Sequence, residues 1–460
     1  MEPIIFEKEK QLILNEGAKK VFRQLALPSL AGMALHGLNN FLDGIFVGHF
    51  INEKALAGVS LAFMLSQILI GVANMVGNGA GTMLSIMLGA NDRKQMKFLL
   101  GNVNTLSLFF SLLIVIPCSV FSDKLVYIMG GRGEILHYGA TYFRHAMIGS
   151  FFWIHSLTLM NIIRGEGKIR LVTMITAIGL LFDVIMKYLF IHVFNFGIYG
   201  AAWATNSTMI FYSILCTAYF LSGKSSLRSG PFSFRFDGAL QKQILTAGFS
   251  SFIFLAMGVI QGLIVFNMIA KYGTDTDMSF YSAAFRSAFV LFMPALGIMK
   301  SLQPVIGMNY GAGQFDRVKK FFIYFLKAAM LIVLPLWIVA FFFPGQLLGT
   351  MLSTGSDNAH MIFMFRLNIS TLLLQPLTLL SFAFLPAIGK GKEAGIAAML
   401  QQVIFYIPAM LILPAYFGID CIYWIPAIIQ LIVFCVVIYM VRREFKRFSP
   451  ETETPVSIAA

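Results

Sequence analysis

Residues 55–91 read ALAGVSLAFMLSQILIGVANMVGNGAGTMLSIMLGAN, thirty-seven positions without one Asp, Glu, Lys or Arg. A helix needs about 20 apolar residues to cross a hydrocarbon core ~30 Å thick, so this stretch alone is long enough to span. Residues 98–122, 188–223, 243–270, 394–419 and 421–441 are equally free of charge. Across all 460 residues only 12% are charged and 58% are hydrophobic, too few charges to cover soluble domains. The apolar runs are continuous, whereas a membrane β-barrel alternates in segments of ~10 residues. The chain therefore reads as an all-α integral membrane protein.

Turn residues between the runs place twelve spans: 22–50, 55–89, 98–121, 134–162, 170–194, 197–222, 243–270, 278–308, 320–343, 359–388, 394–416 and 421–441. Alternating the connections sorts the 34 Lys and Arg residues unevenly. Twenty-four fall on the side that holds both termini, four on the other, and six within spans. By the positive-inside rule both termini are expected in the cytoplasm. The net charge of +13 thus reports topology, and no nucleic-acid partner is expected. Cys118, Cys216, Cys421 and Cys435 sit in apolar runs without metal-ligand spacing, so neither metal nor disulfide is expected. The N-terminus lacks the apolar core of a cleavable signal peptide.

The chain repeats itself at an offset of about 222 residues. Gly89-Ala90-Asn91-Asp92-Arg93 corresponds to Gly311-Ala312-Gly313-Gln314-Phe315, Gly165-Glu166-Gly167-Lys168 to Gly389-Lys390-Gly391-Lys392, and Gly197-Ile198-Tyr199-Gly200 to Gly418-Ile419-Asp420-Cys421. Two six-helix lobes follow, at 1–222 and 240–448, with a linker at 223–239 and a tail at 449–460. An even number of spans per half makes the repeat parallel, a pattern that puts substrate at the interface of the halves.

Of 21 acidic residues only Asp43 and Asp183 lie well inside spans, where a carboxylate costs ~2.5–3.5 kcal/mol and marks an ion or proton pathway. His36, Asn40 and Asp43 share one face of span 1, with Asn39 beside them. Gln67, Asn74 and Asn78 repeat that pattern in span 2, and Tyr142, Thr205 and Asn206 add polar groups from spans 4 and 6. Single amides of this kind also serve simply to glue helices. Lys187, four residues after Asp183, is expected to reach that carboxylate and hold it ionised, leaving Asp43 as the better proton carrier. In the second half the charges within spans are cationic: Arg286, Lys300, Lys327 and Arg366. Lys327 is expected to snorkel to the surface. Lys300, with Gln261 and Gln303, is a candidate cavity residue; Arg286 and Arg366 either line the cavity or anchor at interfaces.

These residues resemble the multidrug and toxic compound extrusion (MATE) family, in particular its MepA-like bacterial branch, over roughly 20–445. The resemblance rests on Leu27-Pro28, Leu42-Asp43-Gly44-Ile45-Phe46-Val47-Gly48, Gly79-Ala80-Gly81-Thr82, Leu88-Gly89-Ala90-Asn91-Asp92, Arg164-Gly165-Glu166-Gly167, Asp183, Gly197-Ile198-Tyr199-Gly200-Ala201-Ala202 and Phe285-Arg286. It implies a V-shaped pair of lobes in a bacterial cytoplasmic membrane that exports cationic or amphipathic drugs against inward H+ or Na+; no cofactor is expected, and a monomer is expected. It further implies that the ion sits on Asp43 and Asp183, aided by Tyr142 and Thr205. Two features depart from the family pattern. Gly179 and Val184 flank Asp183 where Asn and Pro are usual, which together with Lys187 favours H+; and Lys300 stands where some relatives carry an acid. A lipid-linked saccharide flippase of the same superfamily, or a passive channel, is the alternative. No nucleophile–base pair suggests an enzyme.

Overall fold

The computed structural model describes residues 4–227, 230, 232–349 and 359–448, which form helices joined by short turns, with no strand among them. The tail at 449–460 and Arg228 of the linker lie outside the described residues. A short helix, Ile4–Asn15, precedes twelve long ones. Spans 1–6 are Ala18–Phe50, Glu53–Gly89, Arg93–Val120, Gly133–Gly165, Ile169–Val193 and Gly197–Leu221. Spans 7–12 are Gly238–Tyr272, Asp275–Gly311, Phe315–Phe342, Ala359–Ala387, Gly391–Phe417 and Cys421–Arg447. Among the described residues, ten of these are both long and apolar enough to cross a membrane. Spans 1 and 6 are long enough, at 33 and 25 residues, but more polar. His36, Asn39, Asn40 and Asp43 account for this in one, and Thr205, Asn206, Ser207 and Thr208 in the other.

Local chemistry explains the boundaries. Asn52 caps span 2 by accepting from the Ala55 N–H at 2.7 Å, and Asp92 caps span 3 through the N–H groups of Lys94 and Gln95. Span 8 opens on a capping box between Thr274 and Asp277. At the other ends the chain turns through left-handed backbone at Asn91 and Gly313, at Gly167 and Gly389, and at Gly197 and Gly418. These pairs are 222, 222 and 221 residues apart, so the repeat extends to backbone conformation. The pairing of Gly165 with Gly389 read from sequence is off by two. Gly167 donates to the Arg164 carbonyl and Lys168 to that of Ile163, while Gly389 donates to Pro386 and Lys390 to Leu385. Position 167 therefore takes the left-handed place after the helix, where glycine avoids the Cβ penalty.

The two halves are pressed together along spans 2, 7 and 8. A Cβ on Gly89 would lie 2.1 Å from the Met308 carbonyl oxygen, and one on Gly311 would lie 2.1 Å from that of Ile86. Met308 and Ile86 are themselves 222 residues apart, so spans 2 and 8 cross on a local twofold axis with their backbones in contact. Span 7 meets span 2 as closely, a Cβ on Gly79 falling 2.0 Å from the Ile244 carbonyl. At this end the N-terminal helix straddles both halves. Ile13 is buried beside Gly167, and its carbonyl accepts from Arg317 at 2.9 Å and from Asn309 at 3.3 Å.

Glu166, in the short connection between spans 4 and 5, is fully buried. Its carboxylate collects Tyr219 Oη, Ser225 Oγ at 2.6 Å and the Ser226 N–H at 2.8 Å, because span 6 ends over it and the chain that follows folds back. Further along, Arg235 and Asp237 donate backbone N–H groups to Gly101 O and Asn102 Oδ1 of span 3.

Gly311→Val drives a methine into the Ile86 carbonyl, an overpacking that costs about 1–3 kcal/mol or more. Gly262→Ala, on span 7 with nothing within 4 Å of the added atom, is the control. Thermal unfolding of the purified protein is expected to show a lowered midpoint for the first and an unchanged one for the second.

Candidate functional site

Helical spacing puts Asp183 and Lys187 one turn apart on the same face of span 5, and both are buried. The Lys187 ammonium contacts the Asp183 carboxylate and, 144 residues away in sequence, that of Asp43 on span 1. The contact with Asp183 expected from the spacing is present, and Asp43 is a second partner that spacing along one helix does not predict. Spans 1 and 5 are tied near their beginnings, where Thr173 donates to the Pro28 carbonyl at 2.8 Å and touches Gly32, so they run side by side up to the level of the carboxylates. Asp43 keeps 33% of its side chain accessible against 5% for Asp183, so Asp43 is the open member of the cluster. Directly after Lys187 the helix widens into a π-helical turn, Tyr188–Val193, an irregularity frequent at functional sites.

Span 6 closes the other side. Thr208 donates to Asp183 Oδ1 at 2.9 Å, and one turn earlier Thr205 shares a 3.1 Å hydrogen bond with the Tyr142 hydroxyl. Thr208 was not singled out from sequence, although its spacing of three from Thr205 was the available signal. Gly179, where relatives often carry a side chain, has its space filled by Tyr212: a Cβ there would lie 2.1 Å from the ring. The Tyr212 hydroxyl in turn donates to the Thr176 carbonyl at 3.2 Å. Asn40 is half-buried on the Asp43 face of span 1 and takes no part in these hydrogen bonds.

A second polar group lies where spans 2, 4, 7 and 8 meet. Asn161 donates to Asn74 at 3.1 Å and accepts from Arg164 at 2.6 Å. Asn78 donates to Ser251 Oγ at 3.0 Å, and Gln303 donates to the Asn78 carbonyl at 2.9 Å and to Thr82 Oγ1. Asn74, Asn78 and Gln303 are thus gathered into one layer that joins the halves. One turn before Gln303, Lys300 is half-buried, and His36 on span 1 is exposed.

The remaining candidates sit elsewhere. Asn206 is buried and fully used, accepting from the Gly149 N–H at 3.2 Å and donating to the His145 carbonyl at 2.8 Å, so it clamps span 6 to span 4. Gln261 pairs with Gln402, joining span 7 to a π-helical stretch of span 11, Leu400–Tyr406. Arg366 donates to the Phe341 carbonyl at 2.9 Å at the far end of span 9, away from the carboxylate cluster. The Arg286 side chain lies outside the described residues. Lys327 is exposed.

Comparison with known proteins follows the same lines. The MatE family model matches residues 28–189 and 247–411, one stretch in each half. The multidrug export protein MepA of Staphylococcus aureus (strain MSSA476) is 26% identical over 429 residues, covering 91% of this chain and 92% of the relative. MepA of Staphylococcus saprophyticus is 26% identical over 426 residues with the same coverage. Two solved structures, each 22% identical, share the fold. A MOP superfamily transporter from Pyrococcus furiosus has a TM-score of 0.86 over 96% of this chain and 98% of its own. A MATE in its bent conformation has a TM-score of 0.88 over 97% and 99%. With most of the chain matched by the family model and twelve helices in the family's arrangement, this is a multi-pass membrane protein that belongs to the MATE family of transporters.

Proposed function

We propose that the protein is a secondary active multidrug efflux antiporter that expels amphipathic compounds in exchange for protons by alternating access, from a bacterial cytoplasmic membrane with both termini in the cytoplasm. The observation that carries the proton is the double contact of Lys187. Two carboxylates and one ammonium sum to a single negative charge, and one proton makes the cluster neutral. A sodium ion would need several oxygen ligands and would have to displace an ammonium already seated between the carboxylates. The proton needs one oxygen, and the accessible oxygens are those of Asp43.

Neutralising Asp43 removes one of the two contacts that hold span 5 to span 1 through Lys187. Span 1 also touches the opposite half: Ser29 donates to the Gly297 carbonyl at 2.7 Å, and Gly37 packs on Met293. A change at Asp43 is therefore felt at the seam between the lobes, which is the linkage that exchange requires. The staphylococcal relatives are multidrug export proteins, which supports an amphipathic cargo. The basic residues gathered beside the termini support the orientation.

In proteoliposomes, a pH gradient is expected to drive accumulation of an amphipathic xanthene dye, and a Na+ gradient alone is not; Asn in place of Asp43 should reduce the pH-driven flux at least about tenfold. Equal transport on a Na+ gradient alone, or by Asp43→Asn, overturns proton exchange at this site. For the ion pairs, Lys187→Met leaves two facing carboxylates without their counter-charge, a change that costs about 3–5 kcal/mol when one partner of a buried pair is removed. The unfolding midpoint is expected to fall accordingly, and to recover by more than half on adding Asp183→Asn.

A further inference from the structure

A cavity of about 360 Å³ opens at the end of span 9, where the chain turns at Phe343 into a short helix, Pro344–Gly349, ahead of span 10. Among the described residues its walls are Phe342, Pro344, Gly345, Gln346, Ile362 and Arg366. No acid is among them, and Asp420, which opens span 12 at the same end, is paired with His360 at 3.1 Å. The base is firm, since Pro344 and Leu348 are buried and Leu348 joins an apolar cluster with Phe365 and Ile369. Arg366 is held in place as well. Its Nε donates to the Phe341 carbonyl at 2.9 Å, and its guanidinium carbon lies 5.8 Å from the centre of the Phe341 ring. That ring stacks on Trp337, whose indole N–H donates to the Ile369 carbonyl at 2.9 Å. A guanidinium carries five N–H donors, and only the one on Nε is used here. Among the described residues the Nη1 and Nη2 groups have no hydrogen-bond partner, and neither has the Gln346 amide.

We infer that this cavity binds the headgroup of an anionic glycerophospholipid, with the phosphodiester on the Nη groups of Arg366 and further polar atoms of the headgroup on Gln346. The paired Nη groups form the planar fork that matches two oxygens of a phosphate. Phe342 in the wall, and Phe343 and Phe363 beside it, are 61%, 53% and 59% exposed, an apolar rim that acyl chains outside the cavity would cover. A water takes up ~30 Å³ of liquid, so the cavity has far more room than inorganic phosphate fills and too little for the chains. With no acid in the wall nothing holds the ammonium of a zwitterionic headgroup, which selects lipids of net negative charge. The position suits a lipid. Span 9 starts beside the basic residues Arg317 and Lys320 and ends here, at the membrane face where basic residues are few. The site is separate from the carboxylate cluster and does not depend on the transport reading.

Native mass spectrometry of the full-length protein in detergent, titrated with phosphatidylglycerol or phosphatidylcholine, reads the lipid bound per molecule. The parent is expected to bind its first phosphatidylglycerol at least about tenfold more tightly than phosphatidylcholine. Arg366→Gln should weaken phosphatidylglycerol about tenfold and leave phosphatidylcholine unchanged, while Arg366→Lys, which keeps the charge and loses the fork, should fall between. Lys327→Gln, which removes an exposed cation of span 9 outside the cavity, should change neither. Inorganic phosphate at millimolar concentration should not displace the lipid. The inference is overturned if the parent binds the two lipids alike, if Arg366→Gln binds phosphatidylglycerol as the parent does, or if Lys327→Gln costs as much as Arg366→Gln. Displacement by inorganic phosphate overturns the lipid and makes the seat one for the free anion. The comparison of lipids on the parent needs no variant to fold.

Discussion

Spans 2 and 8 meet with nothing between their backbones, Gly89 against the Met308 carbonyl and Gly311 against that of Ile86. In a bilayer there is no hydrophobic force to draw helices together, so association depends on close packing and on hydrogen bonds between side chains. Glycine at the crossing permits the approach, and the approach brings Gln303 within hydrogen-bonding distance of Asn78 and Thr82. The repeat makes the crossing self-complementary, since each half offers the same glycine and carbonyl to the other. Span 1 is held against span 8 by the same junction.

The second constraint is charge. A carboxylate inside a membrane protein needs a counter-charge, hydrogen-bond donors or a proton, and the first half brings the first two together at one place. Lys187 gives charge, Thr208 gives a donor, and Asp43 is the more accessible of the two carboxylates. The polar residues that build this site are what make spans 1 and 6 the least apolar of the twelve helices. Span 6 is shielded by neighbours: Thr208 and Asn206 are buried, and the Tyr212 ring fills the gap beside Gly179. Polarity that hydrocarbon would penalise is thus turned inward.

Much of the fold was legible beforehand because bilayer thickness acts on composition directly. Charge-free runs, basic clusters and turn glycines are local properties, and they located twelve helices to within a few residues. The repeat was legible for the same reason, apart from the register at Gly167 and Gly389, where a GxGK pattern in both copies suggested one alignment and backbone conformation selected another. Burial of Glu166 was not legible: its partners Tyr219, Ser225 and Ser226 lie more than fifty residues away, and an acid in a short connection looks solvated.

The candidate site divides in the same way. From sequence alone came the rarity of Asp43 and Asp183, the spacing of Lys187 one turn from Asp183, and the cationic character of the second half, all of which follow from counting along a helix of known pitch. Tertiary structure alone decided that Lys187 also reaches Asp43, that Thr208 completes the carboxylate's contacts, that Asn206 clamps span 6 to span 4, and that Gln303 reaches Asn78 and Thr82 across the seam. Helical periodicity specifies which residues share a face. Which faces meet, and at what height, depends on how closely the backbones cross, and only the packed molecule sets that distance.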